Sequence, residues 1–562
     1  MPFWLFEISI NFFAMSITSP TAQVNVNNVS GHYMGHRNSL TAKCGTLVPI
    51  LTEEVCPNTR CHLKTSFSVK LPPLASETFA NIDYRIEAFF VPHRLLVGGF
   101  DRLIAGMNKS LPSGFIPVYL PVLDLNPRSE AVASFDAAFA PGTLADYLGF
   151  KKTKGFSFTA STHYRISPLP FLAYHKIYDF WYRNKLVQKP VFAPVNGSSV
   201  VRKFFTEGSA FNETNYIVTV NSNLESSNMV GHDGVGIFSL RQRNFDADYF
   251  TTATLSPQLG AANSVSISVA ENVGSMSIAS LRAANSLQQF AERNNLCGVE
   301  DVNYYRAMYG AHLDYGVAQH PVCLGSASVP IYVNGVFQNG ENKSAGNNPF
   351  MSVATQYGSA TSASTEVIIK DFTAQEFGYI MVLGSLVPRV SYSSGNRRYL
   401  FHHIRSDNYL GTDFANPLLQ NVGPQPIYRG ELASPDLLNS TGVFGYQQRY
   451  AEWISHPDEV HGEFVDGQSL DSFVLQRSFV DNQSETLGIN SSFLQIPTNY
   501  LDQIFASSSE LYGGFSYWVD MLHSWKISSP ISDFVLPSLQ DPAYEHGHSV
   551  TVNKNGQPPI NK

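Results

Sequence analysis

The stretch HPDEVHGEFVD at 456–466 places Asp458, Glu459, Glu463 and Asp466 among two histidines. Paired carboxylates held across a cleft are the machinery of glycoside hydrolysis, one as general acid and the other as base or nucleophile. Glu452, in VFGYQQRYAEW at 443–453, is a further carboxylate of this kind. His402–His403 and His546/His548 are pairs, and His32 and His36 stand four apart, as metal ligands on one helix face would. Gly31 and Gly35 argue against a helix there, and no Cys or carboxylate cluster accompanies the other pairs at ligand spacing. Spacing along a chain does not set two carboxyls across a cleft, so 456–466 reads as a solvated loop. Phosphate-loop, HExxH, GxSxG and EF-hand patterns are absent. The expectation is no catalytic residue, no metal and no cofactor.

The 443–453 stretch carries a different chemistry. Phe444, Tyr446, Tyr450 and Trp453 crowd around two glutamines and Arg449. Aromatics with arginine are the commonest energetic anchors of protein interfaces. A short helix would gather Tyr446, Tyr450 and Trp453 on one side, whereas an irregular loop would splay them. We read Phe444, Tyr446, Arg449, Tyr450 and Trp453 as packing between loops or subunits, against the alternative of ordinary core aromatics. Tyr178 and Trp181 join them as interface candidates.

Composition favours that reading. The chain has 562 residues, 13% of them aromatic and only 15% charged, with 40 Gly and 32 Pro. Soluble domains carry about 25% charge, and large obligate interfaces are depleted in charge and rich in aromatics. The net charge of −8 argues against neutralising nucleic acid unaided. Five cysteines without CxxC spacing argue against a disulfide framework or zinc site. The apolar N-terminus is short, is broken by Glu7 and has no basic residue before Arg37, so neither a signal peptide nor membrane insertion is expected. Met15 is the expected working start. Sequons such as Asn28, Asn196, Asn342 and Asn490 are chance in so Asn/Ser/Thr-rich a chain.

The elements that would carry these residues are mainly β. Leu63, Phe67, Val69 and Leu71 alternate with polar residues, and so do Ile82, Tyr84, Ile86 and Ala88. Pro72 and Pro73 with a short polar turn suit an antiparallel link between these two strands. FGYIMVLGSLVPRVSY (377–392) is apolar almost throughout, as a buried central strand would be. Further strands are expected in TEVIIKDF and near 515–536. SPLPFLAYHKIYDFWYRN (167–184) predicts a helix started by Ser167 and Pro168, with Phe171, Tyr174, Tyr178 and Trp181 on one face. SIASLRAANSLQQFAERNN (277–295) predicts another. We expect an N-terminal extension and arm over 1–45 and one domain over 46–540 with large inter-strand loops. Within it, 193–240 is a candidate surface insertion and 333–365 a flexible loop; 541–562 is a polar tail.

Six stretches in order resemble the major capsid protein of the microviruses, small icosahedral phages with circular single-stranded DNA. They are FFVPHR (89–94), LPFLAYHKIYDFWYRN (169–184), NFDADYFTTATLSPQ (244–258), the 277–295 helix, 377–392 and 443–453. The resemblance implies an eight-stranded antiparallel jelly-roll β-barrel whose long loops contain short α-helices. It implies self-assembly into a T=1 icosahedral shell and a small basic internal DNA-binding protein. It also implies pentameric or minor spike and pilot proteins, a host-cell surface receptor, and a virion assembled in the bacterial cytoplasm. In the gokushovirus-like branch an insertion forms a protrusion at the threefold axis; here the larger excursion, 193–240, precedes NFDADYF. The rival from another class is a secreted carbohydrate-binding or carbohydrate-cleaving β-sandwich.

Overall fold

A computed structural model describes residues between 30 and 530. Outside the description are the longer intervals 105–119, 193–216, 221–228, 256–281, 283–285, 287–309, 311–318, 339–355, 412–418, 423–443, 478–488 and 506–513, and some shorter gaps. Met15, most of the 277–295 helix, His546, His548 and the 541–562 tail therefore lie outside the described residues.

Nine strands form the main sheet system, numbered here in chain order. They are β1 (Ser30–Tyr33), β2 (His36–Ala42), β3 (Val48–Val55), β4 (Thr59–Lys70), β5 (Ile82–Pro92), β6 (Val322–Val333), β7 (Ala360–Ala374), β8 (Gly378–Pro388) and β9 (Tyr517–Ser529). Pairing is antiparallel throughout. One set runs β2-β9-β4-β7, with β1 also on β9, and the other runs β3-β8-β5-β6. The first strands, β1 and β2, pair with the last, β9; β3 pairs with β8, β4 with β7 and β5 with β6, which is the nested winding of a jelly roll. The sets meet where β6 and β7 share two residue pairs, Tyr332↔Thr361 and Val333↔Ala360. Across the opposite edge, β2 and β3 are not paired among the described residues; the Asn38 side chain donates to Ile50 O at 2.8 Å instead. The architecture is thus two packed sheets joined along one edge, and the expected barrel is not closed by strand pairing.

β4 behaves as its alternation predicts: Cys61, Leu63, Thr65, Phe67 and Val69 are buried, while Arg60, Lys64 and Lys70 are exposed. Its buried face meets β5 across the interior, with the Phe67 and Tyr84 rings 5.5 Å apart and Tyr84 5.9 Å from Tyr517 of β9. The expected antiparallel link between β4 and β5 is overturned. β4 pairs with β7 and β9, β5 with β6 and β8, and 71–81 crosses from one sheet to the other. Both strands are apolar toward the same core, so burial is satisfied better by facing each other than by lying side by side.

β8 is buried along its whole length because both its faces are covered. Ile380, Val382 and Leu386 enter the core between the sheets, and Tyr379, Met381 and Leu383 enter a second core on the other side. That second core is built from the long excursion between β5 and β6, including the helix Leu169–Ile177. Val220, Met229 and Ile237 pack into it, so the described parts of 193–240 contribute to packing inside the subunit. The polar stretch expected to be an extended arm is extended and paired with β9 from Ser30 onward. In the 333–365 loop, Phe337–Gln338 pairs with Gln356–Tyr357.

Cys44, Cys56, Cys61 and Cys323 are unbridged, and burial pushes the Cys61 thiol up to about 12, so it packs as a small apolar group. His523 on β9 is fully buried against Thr65 (3.0 Å) and 5.0 Å from the His36 ring. Burial, then the neighbouring His36, lowers its pKa from 6.5 to about 4. The unfolded chain therefore takes up this proton first, and stability falls as pH drops from about 6.5 toward 4. Urea titrations across that window will show a flatter pH profile for His523→Gln than for the parent chain; an unchanged slope would refute this.

Candidate functional site

The helix Leu169–Ile177 continues as one π-helical turn, Tyr178–Tyr182, closed by Arg183 N–H to Tyr178 O at 3.0 Å. A π turn takes one more residue than an α turn, and the phase of the expected aromatic face shifts there. Phe171, Tyr174 and Tyr178 are buried, Tyr182 takes the next inward place, and Trp181 rotates out to 44% exposure. Trp181 remains anchored, donating its indole N–H to Pro321 O (3.0 Å) and lying 5.8 Å from the Phe89 ring. Tyr178 lies under the Arg241 guanidinium, 5.1 Å from its ring centre.

The other candidates occupy the excursion between β8 and β9. Gly445–Gln448 is a short strand paired with Leu419–Val422, and Tyr446 exchanges two 2.8 Å backbone bonds with Thr254. Gly445 sits in close approach, since a Cβ there would meet Ala253 Cβ and Thr254 O at 3.1 Å, tighter than ordinary contact. The chain then turns at Tyr450, whose φ of 67° lies in the left-handed region, into a single 3-10 turn, Ala451–Trp453. The aromatics are therefore splayed. Phe444 and Tyr450 are buried, Tyr446 and Arg449 are half-buried, and Trp453 is 58% exposed. Phe444 packs edge-on to Phe493 at 4.9 Å, and Arg449 stacks 5.1 Å over the Tyr450 ring. The strained Tyr450 is held by bonds at both ends: its OH accepts from Leu410 N (3.2 Å) and its N–H donates to Gln420 Oε1 (3.3 Å).

Beside Trp453 opens a cleft of about 360 Å³. Its walls include Tyr249, Tyr392, Tyr399 and His402, the last stacked 6.4 Å from Trp453. Glu452 and Glu459 both line it, so Glu459 is not the solvated loop residue the sequence suggests. Glu459 accepts two bonds from Arg397, at 2.8 and 2.6 Å, and Arg397 holds its carboxyl below the usual carboxylate range. Glu452 accepts from Gln420 Nε2 at 2.5 Å and sits 3.7 Å from Arg398. A glycosidase acid needs an apolar wall that keeps it protonated, and Arg397 does the reverse. Among the described residues no cluster of three or more His, Cys, Asp or Glu is placed to hold a metal ion. None of their helices is long and apolar enough to cross a membrane.

The rim of this cleft is apolar and open. Tyr399 and Trp453, which line it, are 57% and 58% exposed; their chain neighbours Leu400 and Ile454 are 58% and 76% exposed, and Tyr409, packed 5.1 Å from the Tyr450 ring, is 54% exposed. Single aromatics in loops give no periodic signal, so Tyr399, Leu400, Tyr409 and Ile454 were not legible as a group. The profile of the family described as capsid protein (F protein) matches residues 22–273 and 194–531. The chain belongs to this phage capsid protein family. It is similar to capsid protein VP1 of Chlamydia phage 1, at 24% identity over 90% of this chain and 94% of that one. VP1 of Bdellovibrio phage phiMH2K is 21% identical, covering 86% and 91%. VP1 of Spiroplasma virus 4 is also 21% identical, covering 84% and 89%. The chain is thus a structural capsid protein of the virion and not an enzyme, and the carbohydrate-acting alternative is set aside. In a capsid protein, Arg397 and Arg398 tie the two carboxylates into the loop framework that carries Trp453.

Proposed function

We propose that copies of this chain close into a T=1 icosahedral shell around a circular single-stranded DNA genome, with the Trp453 rim as one of the contacts between subunits. The exposed apolar rim supports this reading most directly. Exposed apolar clusters of this kind mark interaction sites, and Trp453 lines a cleft whose carboxylates, Glu452 and Glu459, are paired with Arg398 and Arg397. Trp181, anchored on one side and open on the other, is a second contact. Phe444, Tyr450 and Tyr178 support these surfaces from inside the subunit, with Tyr446 and Arg449 between. Residues 46–540 act as one capsid domain, with 1–45 and 541–562 as terminal segments. A small basic internal protein shares neutralisation of the genome, given the net charge of −8. Pentameric spike or minor pilot proteins and a host-surface receptor complete the partners, and assembly takes place in the bacterial cytoplasm. Mature chains start at Met15, which mass spectrometry of virions checks; a peptide containing Trp4 refutes it.

The full chain, expressed alone and with virion partners, is expected to give uniform small icosahedra by electron microscopy. Trp453→Asp and Ile454→Asp should keep a folded subunit by circular dichroism. They should raise the concentration needed for particles roughly tenfold or more, as loss of a central anchor does. Particles at parental yield from both variants would sink the rim as a contact.

A further inference from the structure

The two sheets differ on their outer faces. The outer face of β3-β8-β5-β6 is covered by the second core, whereas on that of β2-β9-β4-β7 residues 141–151 flank only the end that carries Lys70 and Trp518. Among the described residues that face carries six cations, Arg37, Arg60, Lys64, Lys70, Lys370 and Lys526, against two carboxylates. Both carboxylates are already taken: Asp520 holds Arg37 at 2.7 Å and Asp371 holds Arg60 at 3.0 Å. The four lysines have no carboxylate partner among the described residues. In a chain of net charge −8 this is a local reversal of sign.

Three of the lysines flank one residue. Lys526 lies directly opposite His62 in the β9–β4 register. Lys64 is two residues further along the same face of β4. The Lys370 carbonyl bonds His62 Nδ1 at 2.5 Å, where irregular register in β7 pushes Lys370 and Asp371 outward. On the other side, Lys526 is opposite Tyr33 of β1, whose ring is 65% exposed. Ser66 and Thr365, joined hydroxyl to hydroxyl at 3.0 Å, continue the face. Flat basic ground with hydroxyls and an open aromatic ring fits a flexible polyanion whose bases stack without sequence preference.

Resting on the shell reading above, we infer that this sheet face binds the single-stranded DNA, with Lys64, Lys370 and Lys526 taking phosphates and Tyr33 stacking on a base. The test is titration of the full chain with labelled oligothymidylate at a series of salt concentrations. Single strands lose about 0.7 in log–log salt slope per phosphate contact removed. The triple variant Lys64→Gln/Lys370→Gln/Lys526→Gln should therefore lose about 2 in slope. The matching Lys→Arg triple should keep it, and so should Lys189→Gln, an exposed lysine outside the nine strands. Tyr33→Ala should weaken binding about tenfold with the slope unchanged. An unchanged slope in the Gln triple overturns the inference while leaving the shell intact. So does displacement by polyglutamate as effective as by unlabelled oligothymidylate, which would mark an acidic protein as the partner. Particle formation, scored separately by electron microscopy, decides the shell reading, so the two failures are distinguishable.

Discussion

Trp525→Ala is expected to lower the unfolding free energy by about 3–5 kcal/mol, the cost of emptying a large aromatic from a core. Trp525 on β9 is 1% exposed and is among the largest fully buried side chains of the subunit. It stands opposite Leu63 of β4 in the core between the sheets. A domain of marginal stability, about 5–15 kcal/mol, loses a large part of it, and particles should fail for lack of folded subunit. Leu522→Ala, on the same strand but 55% exposed on the outer face, should stay within about 0.5 kcal/mol of the parent. Urea denaturation of the two variants checks this; equal losses would mean β9 is not oriented as described.

Asp233→Ala should cost a similar about 3–5 kcal/mol, because it strands a buried charge. Arg241 is 3% exposed and has Asp233 as its ion-pair partner. Its Nε donates to His175 Nδ1 at 3.0 Å, and its backbone N–H donates to the Tyr174 hydroxyl at 2.8 Å. Burial, then Arg241, lowers the His175 pKa well below 6.5, so the ring stays neutral and can accept from the guanidinium. The double change Arg241→Met/Asp233→Ala should cost less than Asp233→Ala alone, since no unpaired charge remains. A double change that costs as much as the sum of the single losses would show that the ion pair is not the cause. The same core holds Tyr178, so Asp233→Ala should also weaken the support behind Trp181.

Much of the fold is legible wherever one rule acts alone. Alternation in β4 names its buried face, and the unbroken apolar run of β8 names a strand covered on both sides. Partner choice was less legible. β4 and β5 are consecutive and similar in pattern, which suits a hairpin, yet they lie in opposite sheets. Alternation specifies which face is buried and says nothing about the neighbour along the hydrogen-bonding direction. The helix at 169 was legible to Ile177, but one π turn moved Trp181 from the buried face to the surface.

The site divides in the same way. Residue type alone marked 443–453 as aromatic and arginine-rich, and the chain's low charge marked it as a protein that covers its own surface. Which rings are core and which are rim was settled by a single left-handed residue, Tyr450, beyond which Trp453 turns outward. The cleft needed Arg397–Arg398, Glu452 and Glu459 to meet from separate turns, and the lysine face needed three strands far apart in the chain. Local pattern follows from burial and backbone sterics and is written residue by residue. The gathering of distant side chains depends on strand order and loop packing, which are properties of the whole folded chain.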